Sequence, residues 1–120
     1  MNNKMNELIK NVKEWGVSKG ITGPNGKGTL LAQLSKTQEE LTETRDAAVL
    51  YSQAQFISIR DGKRYETRED LIDGLGDITV TVILAAEMAG LDFEDCLRHA
   101  YDEIKGRTGT MIGGQFVKDV

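Results

Sequence analysis

Two short acidic stretches contain the residues of this chain best suited to chemistry. The first holds Glu39, Glu40 and Glu43, and the second holds Asp73 and Asp77. In a helix, side chains three or four residues apart share a face, so each stretch presents paired carboxylates if it is helical. Two such helices facing each other gather the oxygen ligands that hard divalent cations prefer, and Mg²⁺ in proteins usually holds a substrate phosphate as well. The spacing therefore predicts a divalent-metal site that handles phosphate.

Each stretch also has an ordinary interpretation. The first is equally typical of a solvated helix face, on which an ion pair between Lys36 and Glu40 stabilises by only about 0.2–0.5 kcal/mol. The second is harder to explain in that way, because Asp73 and Asp77 fall in an apolar helix, where an unpaired carboxylate is costly. A second register, Asp70 with Asp73, has the same acidic character, although Asp70 also suits a helix cap. Both registers stay open at this point.

Composition limits the classes of protein that fit. The chain has 120 residues, a formal charge of −4 and a pI near 5.0, which argues against binding a nucleic-acid polymer. Its length predicts one domain over residues 1–120. Cys96 is the single cysteine, so no internal disulfide forms. No apolar segment is long enough for a membrane span or a secretory signal. We therefore expect a cytoplasmic protein.

Hydrophobic periodicity and turn residues predict an all-α bundle of about four helices. The expected ranges are 5–18, 29–58 with a break near 51–52, 67–90 and 92–105. Thr67 and Asp70 form a capping box at the start of the third helix, after a turn over 60–66, and Asp92 begins the fourth. Apolar residues around Gly113-Gly114 favour a hairpin over 110–117. The glycine-rich loop 20–28 does not have the spacing of a phosphate-binding loop.

The expected core follows from the same periodicity. Trp15 lies on the apolar stripe of the first helix, and Cys96 is expected to be a packed thiol. His99, the single histidine, is expected to be structural or exposed. The third helix is apolar nearly all round and must be covered on every side, which a chain of this size achieves through another subunit. The prediction is a homodimer or a homotetramer.

The acidic stretches also carry a resemblance. Lys36 followed by Glu39-Glu40-x-x-Glu43, and then an acidic run that ends at Asp77 and opens a very apolar helix, resembles the MazG-like all-α nucleotide pyrophosphohydrolases, most of all their short phage-type members. The similarity covers about residues 28–118. Many relatives have Glu-x-x-Asp at the second stretch. Here Gly74 stands at the place of that Glu, with Asp73 as the substitute.

The resemblance implies a reaction and a set of roles. The reaction is Mg²⁺-dependent hydrolysis of a ribo- or deoxyribonucleoside triphosphate between the α and β phosphates, with Mn²⁺ as a substitute metal. The metal ligands would be Glu40, Glu43, Asp73 and Asp77. Glu39 would position or deprotonate the water, and the phosphate would be bound by Lys36, Lys105 and Arg107. Basic residues at the end of a helix also complement its dipole, so Lys105 and Arg107 have this second interpretation.

Two other functions fit the same sequence. The first is a pyrophosphatase of the same fold that acts on a phosphoribosyl-nucleotide. The second is a non-enzymatic helical dimerisation or interaction module, in which the carboxylates are only a solvated face. The sequence does not identify the base or the sugar, and Asp102 stands where phage-type relatives often have Asn.

Overall fold

The structure, a computed structural model, describes residues 3–54 and 63–120, and the side chains of 54 and 63–67 are not included. The elements are α1 (Lys4–Ser18), α2 (Leu30–Ala54), α3 (Lys63–Met88), α4 (Phe93–Ile104), β1 (Gly109–Ile112) and β2 (Gln115–Lys118). The predicted fold class, an all-α bundle with a short C-terminal hairpin, is confirmed. The chain forms two compact units, Met1–Gly90 and Leu91–Val120. No single helix in the described ranges is long and apolar enough to cross a membrane.

Helix α1 has nearly the predicted bounds. It ends at Ser18, and Gly20 follows with a positive φ of 72°, a conformation that suits glycine. The side of α1 that packs inward carries Gly16, where an added Cβ would lie 2.5 Å from Cδ2 of Leu84. Trp15 is 46% exposed, so the prediction that it lies in the core is wrong. The reason is that α1 approaches α3 through its smallest residue, which turns the neighbouring indole outward.

The loop 20–28 is held by its own backbone. The N–H of Lys27 donates to the carbonyl of Gly20 at 2.9 Å, and the N–H of Gly28 donates to the carbonyl of Ile21 at 3.0 Å. The N–H of Gly26 donates to the carbonyl of Gly23 in the same way. These donors are satisfied within the loop, whereas a phosphate-binding loop points its N–H groups at the ligand. The loop is therefore a compact connection between α1 and α2, as its spacing predicts.

Helices α2 and α3 form an antiparallel pair. Near one end, the Thr37 hydroxyl donates to Oγ1 of Thr81 at 2.8 Å, and Nε2 of Gln33 donates to the carbonyl of Thr81 at 3.1 Å. Further along, Thr44 of α2 lies against Gly74 of α3. The partner number on α3 falls as the number on α2 rises, which fixes the antiparallel direction.

The core of the first unit is small and lies where α3 is covered by both other helices. Its buried apolar residues are Ala47, Ile83, Leu84, Ala85 and Ala86. Many larger apolar side chains of the two long helices remain about half exposed, including Leu34 and Leu41 of α2 and Ile72 and Leu75 of α3. A helix buries only the stripe that faces a neighbour, so a single chain does not provide the cover that α3 is predicted to take from another subunit.

The predicted boundaries between the long helices are partly wrong. Helix α3 begins at Lys63, so Thr67 lies inside the helix and its capping box with Asp70 does not start it. Residues 63–66 of the predicted turn are helical, and residues 60–62 lie outside the described part of the chain. Helix α2 continues through the predicted break at 51–52 to Ala54, and the predicted end at Ser58 also lies outside. Residues 51–54 and 63–67 contain no Gly or Pro, so their helix propensity allows both helices to continue through these polar segments.

The second unit consists of α4 and the hairpin. Asp92 precedes α4 in an extended conformation, as predicted for the start of this helix, but its side chain makes no capping hydrogen bond. Strands β1 and β2 pair antiparallel, with Met111 opposite Phe116. Gly113 and Gly114 both have positive φ, as a two-residue type I′ turn requires, and the predicted hairpin is confirmed. No residue of α4 is buried, and Cys96 is an exposed rather than a packed thiol.

Candidate active site

A groove of about 340 Å³ opens between α2 and α3, and it contains every residue predicted to bind the metal. Glu40 and Glu43 reach it from α2, and Asp73 and Asp77 reach it from α3. The remaining lining residues are Thr44, Asp46, Ala47, Leu50, Asp70 and Gly74. Side chains that are more than 30 residues apart in sequence therefore border one space, as the notion of two facing acidic helices requires.

The groove exists because α2 and α3 approach closely at one point. Glu40, Glu43, Thr44 and Ala47 recur at helical spacing and form the face of α2 that meets α3. At Gly74 an added Cβ would collide with the Thr44 hydroxyl. That hydroxyl donates to the carbonyl of Glu40 at 2.7 Å, which holds Thr44 in place and satisfies it in its buried position. The small residue thus brings the two rows of carboxylates together.

The groove is strongly acidic. Six carboxylates line it, and no basic side chain of the described residues is part of the lining. Among described residues, only Glu40 of these six has an ion-pair partner, the ammonium of Lys36 at 3.5 Å. Its side chain is 14% exposed, which makes it the least exposed carboxylate in the described ion pairs. A groove lined by side chains of one sign of charge favours a cation over an anion.

Lys36 joins Glu40 to the predicted catalytic residue. Its ammonium lies 3.4 Å from Oε1 of Glu39 and 3.5 Å from Oε1 of Glu40. The hydrogen bond to Glu39, together with the charge of that carboxylate, raises the pKa of Lys36 above its ordinary value, and Glu40 acts in the same direction. Neither Lys36 nor Glu39 lines the groove, and the Glu39 side chain is 58% exposed. The pair therefore stands beside the groove, with Lys36 one helical turn from Glu40 and Glu39 one helical turn from Glu43.

The carboxylates fit a divalent cation in chemistry but do not form a ready-made coordination shell. Carboxylate oxygens are the ligands of Mg²⁺, which usually keeps several waters and uses only one or two carboxylates directly. Among the side chains that the structure describes, no three Asp, Glu, His or Cys groups converge as they would around one ion. The described side chains therefore do not form a closed structural metal site.

Two lining residues were not assigned a site role from the sequence. Asp70 borders the groove together with Asp73 and Asp77, so the two registers considered for α3 describe one acidic row rather than two competing sites. Asp46 was missed. It follows Glu43 by three residues, and the same spacing rule that links Glu40 to Glu43 extends the row to it.

The other predicted residues lie in the second unit. Lys105 follows α4, and its ammonium pairs with Oδ1 of Asp102 at 3.2 Å. Arg107 is exposed, and its backbone N–H donates to the carbonyl of Ile104. Their role in phosphate binding stays a prediction. His99 is exposed, as expected, and its Nε2 lies 3.3 Å from Oε1 of Glu103.

Comparisons with protein-family models, with curated proteins and with solved structures gave no match to this chain. The resemblance described above therefore rests on the quoted residues alone, and the function has to be argued from the groove.

Proposed function

We propose that this protein is a Mg²⁺-dependent nucleoside triphosphate pyrophosphohydrolase. The observation that carries the proposal is the groove between α2 and α3, where all four predicted metal ligands and two further carboxylates border one space without a basic side chain of the described residues. A solvated helix face does not need its acidic residues to meet those of another helix. A site for a metal-bound polyphosphate does.

Glu40, Glu43, Asp73 and Asp77 would hold the metal, with Asp46 and Asp70 at the same groove. When bound, Mg²⁺ neutralises charge on the phosphate oxygens and orients water for attack. The acidic residues also serve selectivity, since a bare phosphate is repelled by the groove and only a phosphate accompanied by a cation is accepted.

Lys36 and Glu39 would act together beside this groove. In the structure the Lys36 ammonium is held by Glu39 and Glu40. An incoming phosphate competes for that ammonium, and its binding releases both carboxylates, Glu40 toward the metal and Glu39 toward water. Glu39 then accepts the proton as the water oxygen bonds to a phosphorus beside the α–β bridging oxygen. The bond from that phosphorus to the bridging oxygen breaks, which gives the monophosphate and pyrophosphate.

Lys105 and Arg107 keep the role that the resemblance implies for them, which is to bind phosphate oxygens, Arg107 through its two-pronged guanidinium. The half-exposed apolar side chains of α2 and α3 support a homodimer or a homotetramer that covers them. In such an assembly the base and the sugar would meet more than one subunit.

The test is pyrophosphate release from a panel of ribo- and deoxyribonucleoside triphosphates, measured with Mg²⁺, with Mn²⁺ and with a chelator. We expect metal-dependent release from at least one substrate. A phosphoribosyl-nucleotide belongs in the same panel, because release from it alone would transfer the proposal to the related pyrophosphatase. If the folded protein releases no pyrophosphate from any substrate of the panel, the non-enzymatic interaction module is favoured.

Variants tie the activity to the groove. Because the metal supplies several kcal/mol of charge stabilisation, Glu43→Gln should lower the rate by about 100-fold or more. The matched control is Glu14→Gln, which makes the same chemical change on α1 at a side chain that is 64% exposed. Asp77→Asn should behave like Glu43→Gln. Equal activity of all three variants would refute the site assignment.

A further inference from the structure

The side of α2 that packs against α3 is mostly polar. Its buried or half-buried residues follow one another at intervals of four, three, four and three, and they are Gln33, Thr37, Glu40, Thr44 and Ala47. These intervals are those of a helix–helix seam, in which apolar residues are usual. Ala47 is the one apolar member of the row, and the leucines of α2 are exposed. Polar groups, rather than leucines, therefore meet α3 along this stretch.

A network of hydrogen bonds joins the two helices at one end of the seam. The Thr37 hydroxyl donates to Oγ1 of Thr81 at 2.8 Å, and Nε2 of Gln33 donates to the carbonyl of Thr81 at 3.1 Å. A hydroxyl has one hydrogen to donate. The Thr81 hydroxyl donates its hydrogen to the carbonyl of Ile78 at 2.7 Å, so toward Thr37 it acts as the acceptor. Each bond between the helices therefore has a defined direction and a defined partner.

This network and the close approach at Gly74 belong to the same alignment of the helices. Thr37 bonds to Thr81, and Thr44 lies against Gly74. The two residues on α2 are seven positions apart, and so are the two residues on α3. Seven residues of a helix span two turns, or about 10.5 Å. The two contacts therefore enclose the same length of each helix.

Two of the proposed metal ligands lie between these contacts. Glu40 follows Thr37 by three residues, and Asp77 precedes Thr81 by four residues. Each shares the face of its helix that makes the contacts, so the alignment places Glu40 opposite Asp77 across the groove. A slip of one helical turn would displace one of them by about 5.4 Å relative to the other. Because Mg²⁺ binds its oxygen ligands at about 2.0–2.1 Å, such a slip would prevent the two carboxylates from sharing an ion.

We propose that Thr37 and Thr81 are positioning residues, which set the register of α2 against α3 and so hold Glu40 opposite Asp77. The inference rests on the proposed function, because it concerns two of the proposed metal ligands, but the register can be measured without any reaction. A polar group in a helix seam specifies the register, because a slip takes it away from its partner. Thr81 is buried, so water does not readily replace the bond that a slip breaks.

Replacement by valine removes the hydrogen bond between the helices with little other change. Valine keeps the branched shape of threonine and lacks the hydroxyl. When both partners become apolar groups of the same shape, the effect on stability is nearly neutral or favourable. The double variant Thr37→Val/Thr81→Val should therefore keep the Tm of the unmodified protein and lose the preference for one register. The double variant Thr37→Ser/Thr81→Ser should do the opposite, because it loses two methyl groups and keeps both hydroxyls.

A matched control makes the same chemical change on the same two helices. The Thr42 hydroxyl donates to the carbonyl of Gln38 at 3.1 Å, and the Thr79 hydroxyl donates to the carbonyl of Leu75 at 2.9 Å. Both bonds stay within one helix, and both threonines are exposed. The double variant Thr42→Val/Thr79→Val therefore replaces two hydroxyls without removing a bond between α2 and α3.

The first test measures the register by disulfide formation within one chain, in a Cys96→Ser background at low protein concentration. The reporter cysteines are Ala47→Cys and Asp70→Cys, which the same alignment places opposite each other. In the valine pair we expect the disulfide to form about two- to threefold more slowly, since the aligned state then shares the population with a slip in either direction. The serine pair and the control pair should keep the unmodified rate.

Three outcomes of this test would overturn the proposal. They are equal rates in the valine pair and the control pair, a slower rate in the serine pair, and no disulfide when Thr37 and Thr81 are both present. A slower rate that accompanies a fall in the Tm of the valine pair would indicate a merely structural role and would also count against it. Thermal unfolding followed by circular dichroism supplies the Tm.

The second test measures the binding of Mg²⁺ alone by calorimetric titration. The valine pair should raise the dissociation constant about two- to threefold, and the serine pair and the control pair should leave it unchanged. Equal affinity in the valine pair and the control pair would overturn the proposal. If the unmodified protein binds Mg²⁺ but releases no pyrophosphate, the proposed hydrolysis fails and the register inference stands. If it binds no Mg²⁺, the proposed function fails and the disulfide rates alone decide the register.

Discussion

Gly74 is the residue at which sequence, packing and the candidate site can be tested together. An added Cβ at this position would collide with the Thr44 hydroxyl and would lie 2.9 Å from Cβ and 3.0 Å from Cγ2 of the same residue. Thr44 is 6% exposed, and its hydroxyl is bonded to the carbonyl of Glu40, so it has little room to move. We therefore expect Gly74→Ala to push α2 and α3 apart at the acidic groove.

The magnitude follows from two opposing effects. Inserting a methyl group into a packed contact costs about 1–3 kcal/mol. Replacing glycine by alanine inside a helix returns roughly 1 kcal/mol through propensity. Gly76 lies on the same helix with nothing within 4 Å of an added Cβ, so Gly76→Ala should show the favourable effect alone. The difference between the two variants isolates the clash at about 1–3 kcal/mol, or roughly 4–12 °C in Tm.

The assay is thermal and urea unfolding followed by circular dichroism, at one protein concentration and with a chelator present. Gly76→Ala should be more stable than the unmodified protein, and Gly74→Ala should be less stable than Gly76→Ala. Adding Thr44→Ala to Gly74→Ala removes two of the three contacts and should restore about 1 kcal/mol as a coupling energy. Equal stability of the two alanine variants would refute the close approach of α2 and α3 at this point.

Two further predictions concern charge. If the groove binds a cation, saturating Mg²⁺ should raise Tm by an amount that corresponds to about 2–3 kcal/mol at 100 times the dissociation constant. Asp73→Asn should remove that shift, and an unchanged Mg²⁺ response would contradict the site. The folded-state pKa of Lys36 is raised above 10.5, so its ion pairs contribute stability below pH 10.5 and lose it as the pH rises through the higher folded value. Lys36→Met should abolish this alkaline step in the free energy of unfolding, and an identical profile for both proteins would contradict the contacts with Glu39 and Glu40.

Local rules predicted the parts of the fold that local interactions decide. The periodicity of α1 gave its range to within one residue. Gly113 and Gly114 identified the hairpin, because a Gly-Gly pair is favoured in the type I′ turn, which joins two strands through two residues of positive φ. Gly90, with φ of 71°, follows the end of α3 as expected. In each case the residues that carry the prediction lie within a few positions of the element that they predict.

The predictions that failed depend on contacts between distant residues. Trp15 belongs to an apolar stripe, but the stripe meets α3 through Gly16, and nothing in α1 alone shows this choice. Thr67 and Asp70 have the spacing of a capping box, yet α3 already begins at Lys63. The full cover predicted for α3 is not tested by a single chain, because apolar side chains such as Leu75 show that a side must be covered without showing by which molecule.

The candidate site falls between these two cases. Spacing within one helix showed that Glu40 pairs with Glu43 and that Asp73 pairs with Asp77, but no local rule states that the two rows face each other. What brings them together is the antiparallel contact at Gly74, a residue that is unfavourable for α3 as an isolated helix. The close approach of the two helices accounts for Gly74, because any side chain there would meet Thr44. The six carboxylates that border the groove at the same place are not required by that contact, and they are the feature that the proposed cation site would explain.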